Sequence, residues 1–442
     1  MADYLRGMIA KRKEGIMCGV PSFCTANEIV IESLLVQAKK FDDQVLIEAT
    51  ANQVNQFGGY TGMKPADYMK FVYDIADRVG FPKENIVLAG DHLGPLTWSN
   101  EPEETAMDKA ETLVRMYVAA GYKKIHLDTS MRLADDSIDE MLTDETIARR
   151  GARLYAACEE EYQKRLAKNP DEKRPVYIIG SEVPIPGGAQ EEEDSISVTK
   201  PEAVVKTLQT YKEQFEKVGM GDAFDNIIGI VTQPGVEFGD DTVFQYNRYN
   251  AMNLVETMKQ FDNIVMEGHS TDFQSPESLK AMVEDGIGIL KVGPALTFAL
   301  RDGLFALSHM EKYLIAEDKR VNFEDVLEKV MMENPGNWKK YYHGTEEEIA
   351  IKRKFSFSDR CRYYFALPEI KEAIDKLIAN IDSVEIPLGL LHQYMPLQYV
   401  KVRDGKLAKK GRALLLDHIN EITDTYNYAC KYNYVIPENF NR

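Results

Sequence analysis

The stretch "MCGVPSFCTAN" (17–27) begins with the first of eight short β-like runs, "MCGVPSFC" (17–24), and its last residues separate two architectures. An open, doubly wound sheet that binds a dinucleotide needs a glycine-rich GxGxxG turn directly after its first strand. Here "PSFCTAN" stands in that place. Seven further runs succeed it: "QVLIEAT" (44–50), "NIVLAGD" (85–91), "KKIHLD" (123–128), "VYIIGSE" (176–182), "NIIGIVTQ" (226–233), "NIVMEG" (263–268) and "GIGILKVG" (286–293). Continuous apolar runs suit strands buried on both faces of a parallel sheet. Between them lie amphipathic segments such as "PADYMKFVYDIADRVG" (65–80), whose apolar residues recur at intervals of three and four. Several open on Asn, Ser, Thr or Pro and stop at Gly, as helix caps require. Eight βα units over roughly 290 residues predict an α/β fold of the (β/α)8 barrel type, spanning residues 1–312. Later patterns such as "IKEAIDKLIANI" (370–381) predict a helical C-terminal extension over 313–442, packed on the barrel.

Composition narrows the function. The 442 residues are 44% hydrophobic and 28% charged, ordinary for a globular protein, and the net charge is −18. That charge argues against nucleic acid and against an anionic membrane surface, but not against an anionic substrate in a locally basic pocket. The five cysteines are scattered without a CxxC pair, so neither a disulfide framework nor a thiolate zinc site is indicated. The charged start "MADYLRGMIAKRKEG" lacks the apolar centre of a signal peptide, and no run of 18 apolar residues occurs. The cytoplasm is the expected location.

Active sites of (β/α)8 barrels sit where the strands end at their C-terminal face. Those ends carry Glu48 with Asn52 and Gln53, Asp91 and His92, His126 and Asp128, Glu182, Gln233, Glu267 and His269 with Ser270 and Asp272, and Lys291. Imidazoles and carboxylates around one mouth suit a divalent metal, zinc first, with manganese, cobalt or nickel as alternatives. His92, Glu182 and His269 come from the third, fifth and seventh strands, which face one another across the ring, and are the expected ligands. Asp128 is expected as a fourth ligand or as a partner of one, and Asp91 as the base that takes a proton beside the metal. Asp91, Asp128 and Glu182 form the expected catalytic set. His126 alternates with Ile125 and Leu127 and reads as a core or supporting histidine.

Loops after the last two strands commonly bind phosphate in this fold, which points to Ser270, Thr271, Gly293 and Lys291. Glu48, Asn52, Gln53, Gln233 and Asp272 are expected around the substrate. "SFSDRCRYY" (356–364) is a basic, aromatic stretch in an acidic chain. Arg360 or Arg362 is expected to fork onto a phosphate, with Ser358 beside it; a surface helix start capped by Ser358 is the alternative.

The strings "LIEATANQVNQFGGYTGM", "GDHLGP", "EVPIPGG", "QPGVEF", "GHSTD", "LKVGPALTFALR", "SDRCRYY" and "IPLGLLHQYMP" resemble the tagatose-bisphosphate aldolase accessory-subunit family nearly end to end. Members of that family also carry the label tagatose-6-phosphate kinase. The resemblance implies a barrel related to metal-dependent class II aldolases. It implies either a 4-epimerase of fructose, tagatose or their 6-phosphates, or an accessory partner of a class II aldolase catalytic subunit, or an aldolase. In the aldolase pattern Asp91 is the base, and His92, Glu182 and His269 belong to the metal site. Gln233 stands where an aldolase has a metal-binding histidine. The epimerase, working by retro-aldol and aldol steps or by deprotonation at C4, is the leading expectation. A ketohexose or its phosphate is the expected ligand, and self-association is expected. Neither GxxxxGK[ST] nor a kinase glycine loop with its lysine and Asp-Phe-Gly is present, so no nucleotide is expected.

Overall fold

The computed structural model describes residues 2–181 and 196–431. Eight parallel strands close into a barrel: β1 (Val20–Cys24), β2 (Val45–Thr50), β3 (Ile86–Leu93), β4 (Lys124–Leu127), β5 (Val176–Ile179) and β6 (Ile227–Thr232) come first. A short hairpin, β7 (Glu237–Phe238) with β8 (Val243–Phe244), interrupts the series before β9 (Val265–Gly268) and β10 (Ile287–Val292) complete the ring. Each barrel strand pairs with its neighbours in the chain, and β10 returns to β1. The (β/α)8 architecture expected from the eight runs is the one found.

The strands are buried on both faces, for two different reasons. On β4, Ile125 and Leu127 join the apolar layer beneath the helices. Lys124 and His126 alternate with them and meet charged partners from other strands. The end of the barrel at the strand starts is apolar instead. There the helix Ala2–Lys13 sets Leu5, Met8 and Ile9 against Val20, Leu46, Val87, Val176 and Ile289. Each such side chain contributes roughly 1.5–3 kcal/mol by leaving water. The polar chemistry is thereby confined to the opposite end.

The chain beyond residue 312 takes part in the barrel wall. The helix Gly411–Cys430 packs against β1 and against the helices Glu28–Lys40, Pro276–Glu284 and Pro294–Leu314. Its contacts include the backbone: Gly19 N–H donates to Cys430 C=O at 2.8 Å. Ser33 Oγ donates to Asn420 Oδ1 at 2.7 Å, and Arg412 pairs with Glu32. The helix Pro294–Leu314 in turn lies against Pro368–Asp382. No helix among the described residues is long and apolar enough to cross a membrane.

Candidate metal centre at the barrel mouth

Two strand ends are bent into the left-handed backbone region that side chains other than glycine seldom adopt. His92 at the end of β3 has φ +48°, and Ser270, after β9, has φ +52°. Such conformations persist where the surroundings impose them, and they gather at functional sites. Close to His92 the backbone leaves no room for a Cβ at Gly94, where one would lie 1.7 Å from the Asp128 carbonyl oxygen. That approach lets Asp128 N–H reach Leu93 C=O at 3.0 Å and sets the Asp128 carboxylate beside the His92 ring.

Three imidazoles meet there. Ring centroids of His92, His126 and His269 are 4.9–5.2 Å apart. Each ring has one nitrogen beside a carboxylate: His92 Nδ1 lies 2.9 Å from Asp128 Oδ2, His126 Nδ1 3.0 Å from Asp91 Oδ1, and His269 Nε2 2.9 Å from Glu267 Oε1. Backbone N–H of His92 also points at His126 Nδ1, at 3.2 Å. For His92 and His269 a carboxylate on one nitrogen fixes the ring's orientation and leaves the other nitrogen for a metal. His126 Nε2 is buried with no hydrogen-bond partner among the described residues. Donor atoms of Asp91, His92, His126 and His269 all lie within 4.8 Å of one another. Three imidazole nitrogens and a carboxylate oxygen suit zinc or a neighbouring divalent ion, and the orphaned nitrogen is what a bound ion would satisfy.

Beneath the imidazoles runs a buried chain of charge. Lys124 bridges Glu48 and Glu267, 2.7 Å from the latter, and Lys291 bridges Glu48 and Asp91, 2.7 Å from the latter. Four carboxylates (Glu48, Asp91, Asp128, Glu267) thus face two lysines, which leaves the site ready to accept a cation. Burial alone would raise the carboxylates, yet the imidazoles hold Asp91 well below the usual range and His92 holds Asp128 at about 2. Glu267 is lowered to about 2 against the same burial, by Lys124 and His269. Burial lowers His269 and pulls the Lys291 ammonium down to about 7, while Asp91 and Asp128 lift His92 above its ordinary value despite burial.

The cluster opens into a cavity of about 790 Å³. Of the residues expected from the sequence, Asn52, Gln53, Asp91, His92, His269, Ser270, Asp272, Lys291 and Gly293 line it. Glu48 lies in the charge chain and does not line the cavity. Asp128 is the partner that orients His92. His126, read from alternation as a core or supporting histidine, is fully buried beside Asp91: the same period that sends Ile125 and Leu127 outward sends it into the cluster of Asp91, His92 and His269. The inward series Lys124, His126, Asp128 is polar at every second position, a signal of an ionic interior. Glu182, expected as ligand and catalytic residue, lies outside the described residues, as does the "VPIPGG" loop.

Other expected residues sit elsewhere. Gln233 Oε1 accepts from Gly235 and Val236 N–H at 2.8 and 2.9 Å and so caps its own turn, away from the cavity. Arg360 lies 3.2 Å from the centre of the Tyr341 ring and donates to Asn337 C=O, also away from the cavity. Ser358 is buried, and its carbonyl accepts from the Tyr342 hydroxyl. Arg362, two residues on from Arg360, is the arginine of this stretch that reaches the cavity, beside Tyr363 and Tyr60. Tyr60 and Tyr363 meet edge to face at 5.1 Å. Thr271 is fully buried, its hydroxyl donating to Lys291 C=O at 2.6 Å, so it is not free to hold a phosphate.

The residues matching the family model run from 5 to 431, nearly the whole chain, and that model is described as D-tagatose-1,6-bisphosphate aldolase subunit GatZ/KbaZ-like. The chain belongs to this family. It is 44% identical over 428 residues to the D-tagatose-1,6-bisphosphate aldolase subunit GatZ of Salmonella gallinarum, covering 96% of this chain and 99% of that protein. The Klebsiella pneumoniae subunit of the same name is 44% identical over 426 residues, with the same coverage. A crystal structure of a probable tagatose 6 phosphate kinase from Sinorhizobium meliloti 1021 superposes with a TM-score of 0.85 at 43% identity, covering 93% of this chain and 100% of that one.

Proposed function

We propose that the chain is a metal-binding subunit of a D-tagatose-1,6-bisphosphate aldolase whose own barrel takes a ketohexose phosphate. The observation that carries the ligand reading is the cluster of His92, His126, His269 and Asp91 opening into the cavity. The subunit reading rests on the names of relatives matched over nearly their full length. When bound, a divalent ion supplies positive charge to the carbonyl and hydroxyl oxygens of a ketose. The three imidazoles would hold it. Asp128 and Glu267 keep two of those rings in the tautomer that leaves a nitrogen free. Asp91 and Lys291, 2.7 Å apart at the cavity wall, offer a proton acceptor beside a proton donor. Arg362 faces the cavity with a guanidinium suited to a phosphate.

One observation favours a second reading, a free-standing 4-epimerase. The imidazole cluster, the Asp91–Lys291 pair and Arg362 all come from one chain, so the described residues already supply acceptor, donor and phosphate clamp. In that reading Asp91 accepts the C4 hydroxyl proton as the C3–C4 bond opens, the electron pair passing to the C2 carbonyl oxygen. The proton returns when the aldehyde re-adds on its other face. The deciding experiment incubates purified, zinc-loaded protein with fructose 6-phosphate, alone and with a class II aldolase catalytic subunit. The subunit reading expects no tagatose 6-phosphate from the protein alone, and a gain in the activity or lifetime of the catalytic subunit. Tagatose 6-phosphate formed without a partner establishes the second reading. Failure to bind any ketose phosphate contradicts both. Arg362→Ala is expected to weaken binding of the 6-phosphate by roughly ten- to a hundredfold and to spare the free sugar.

A further inference from the structure

In many barrels the loop after the last strand and the helix start beside it bind a phosphate through backbone N–H groups. In this chain that place is filled from within. Asp272 Oδ1 accepts from Gly293 N–H at 3.0 Å and from Ala295 N–H at 2.8 Å, at the start of the helix Pro294–Leu314. The Asp272 side chain is almost fully buried, yet it lines the cavity. A phosphate arriving there would have to displace a carboxylate from both donors, or sit against its negative charge.

The remaining cations of the cavity are unequal. Lys291 is engaged by Glu48 and Asp91, and Arg78 and Arg412 are engaged by Glu28 and Glu32. Lys371 is an exposed side chain on the helix Pro368–Asp382. Arg362 differs: it donates to Asp359 C=O and to the Tyr363 hydroxyl, both neutral acceptors. Among the described residues no carboxylate forms an ion pair with it, although its charge also reaches Asp272, so the guanidinium is open to a phosphate.

We infer that Asp272 is a specificity residue that closes the helix start to phosphate and restricts the cavity to ketoses bearing a single phosphate, which Arg362 holds. What meets the Asp272 carboxylate is a sugar hydroxyl, which donates to it, and not a second phosphate. This rests on the reading that the cavity takes a ketose phosphate, and it deepens that reading by setting the number of phosphates. It also assigns a bisphosphate to a partner subunit rather than to this barrel.

The test measures binding by calorimetry to the full chain and to Asp272→Gly and Asp272→Asn, with fructose 6-phosphate, fructose 1,6-bisphosphate and inorganic phosphate as probes. The wild type is expected to bind the 6-phosphate at least about tenfold more tightly than the bisphosphate, the penalty of one unpaired like charge. Asp272→Gly frees both N–H groups, so it is expected to lose that preference and to gain affinity for inorganic phosphate. Asp272→Asn keeps the N–H groups occupied and is expected to gain little for inorganic phosphate. Equal wild-type binding of mono- and bisphosphate overturns the inference, as does an Asp272→Gly protein with no gain for phosphate. If Asp272→Gly fails to fold, Asp272→Ser serves in its place. A wild type that binds neither sugar, with a phosphate gain in the variant, retains the gate and removes the ketose-phosphate reading.

Discussion

Replacing Asp128 by Asn tests the metal centre at its least obvious member. The carboxylate lies 2.9 Å from His92 Nδ1 through Oδ2, while Oδ1 accepts from Ser130 N–H at 3.1 Å and from its hydroxyl at 2.7 Å. Asn has nearly the same shape and can keep the Ser130 bonds with its carbonyl oxygen. Its amide N–H then faces His92 Nδ1. Two donors cannot share that contact, so the ring must move its proton to Nε2, the nitrogen that turns toward Asp91. A protonated Nε2 cannot ligate. Losing a carboxylate partner of a metal-bound histidine typically weakens the metal ten- to a hundredfold, about 1.4–2.7 kcal/mol, and a forced tautomer puts Asp128→Asn near the upper end. Zinc affinity measured by competition with a chelator reads this directly. Ser130→Ala, which loses the hydroxyl contact and leaves the carboxylate in place, is expected to stay within about threefold of wild type. Wild-type affinity in Asp128→Asn, together with lost affinity in His92→Ala, would refute the argument that Asp128 sets the tautomer.

Two further perturbations reach other parts of the account. Burial pushes Asp272 up from its ordinary 3.8 to about 6, and the N–H bonds and the Arg362 charge offset only part of that. The folded chain therefore holds a proton that the unfolded chain releases between those values. Its stabilisation is full below about pH 4 and is lost as pH rises through about 6, amounting to roughly 3 kcal/mol. Asp272→Asn is exempt, so its advantage in denaturant unfolding is expected to grow from pH 4 to pH 7; a pH-independent difference contradicts the assignment. Ending the chain at residue 312 removes the helix Gly411–Cys430, exposing β1 and the helices on either side, and is expected to abolish cooperative unfolding. A truncated protein with a sharp thermal transition would show that the barrel closes without it.

The barrel is legible because its strands are nearly continuous apolar runs, each followed by a capped amphipathic segment. The wall contribution of Gly411–Cys430 is not. Its apolar face has the period of any packed helix, and nothing local says that it docks beside the first strand, nearly 400 residues earlier. At the mouth, strand-end polarity finds Asp91, His92, His269, Asp272 and Lys291. It leaves His126 a core or supporting histidine, because alternation with isoleucine and leucine also signals burial in an apolar core. In a closed barrel the same alternation points every second residue at the axis, where Lys124, His126, Glu48 and Glu267 form an ionic interior. Arg360 and Arg362 are indistinguishable by composition. The short helix at Arg360–Tyr363 turns one toward Tyr341 and the other toward the cavity. Asp272 is expected from the sequence to face substrate, but its bonds to Gly293 and Ala295 join loops that the chain keeps some twenty residues apart.

The central claim is that His92, His126 and His269 converge on one divalent ion. The most direct measurement is X-ray absorption spectroscopy of zinc-loaded protein, wild type and His126→Ala, with zinc content determined on the same samples. The account predicts one zinc per chain with three imidazole nitrogens in the wild type, and two imidazoles with weakened retention in His126→Ala. An unchanged three-imidazole spectrum in His126→Ala, or a wild type that retains no zinc, would contradict it.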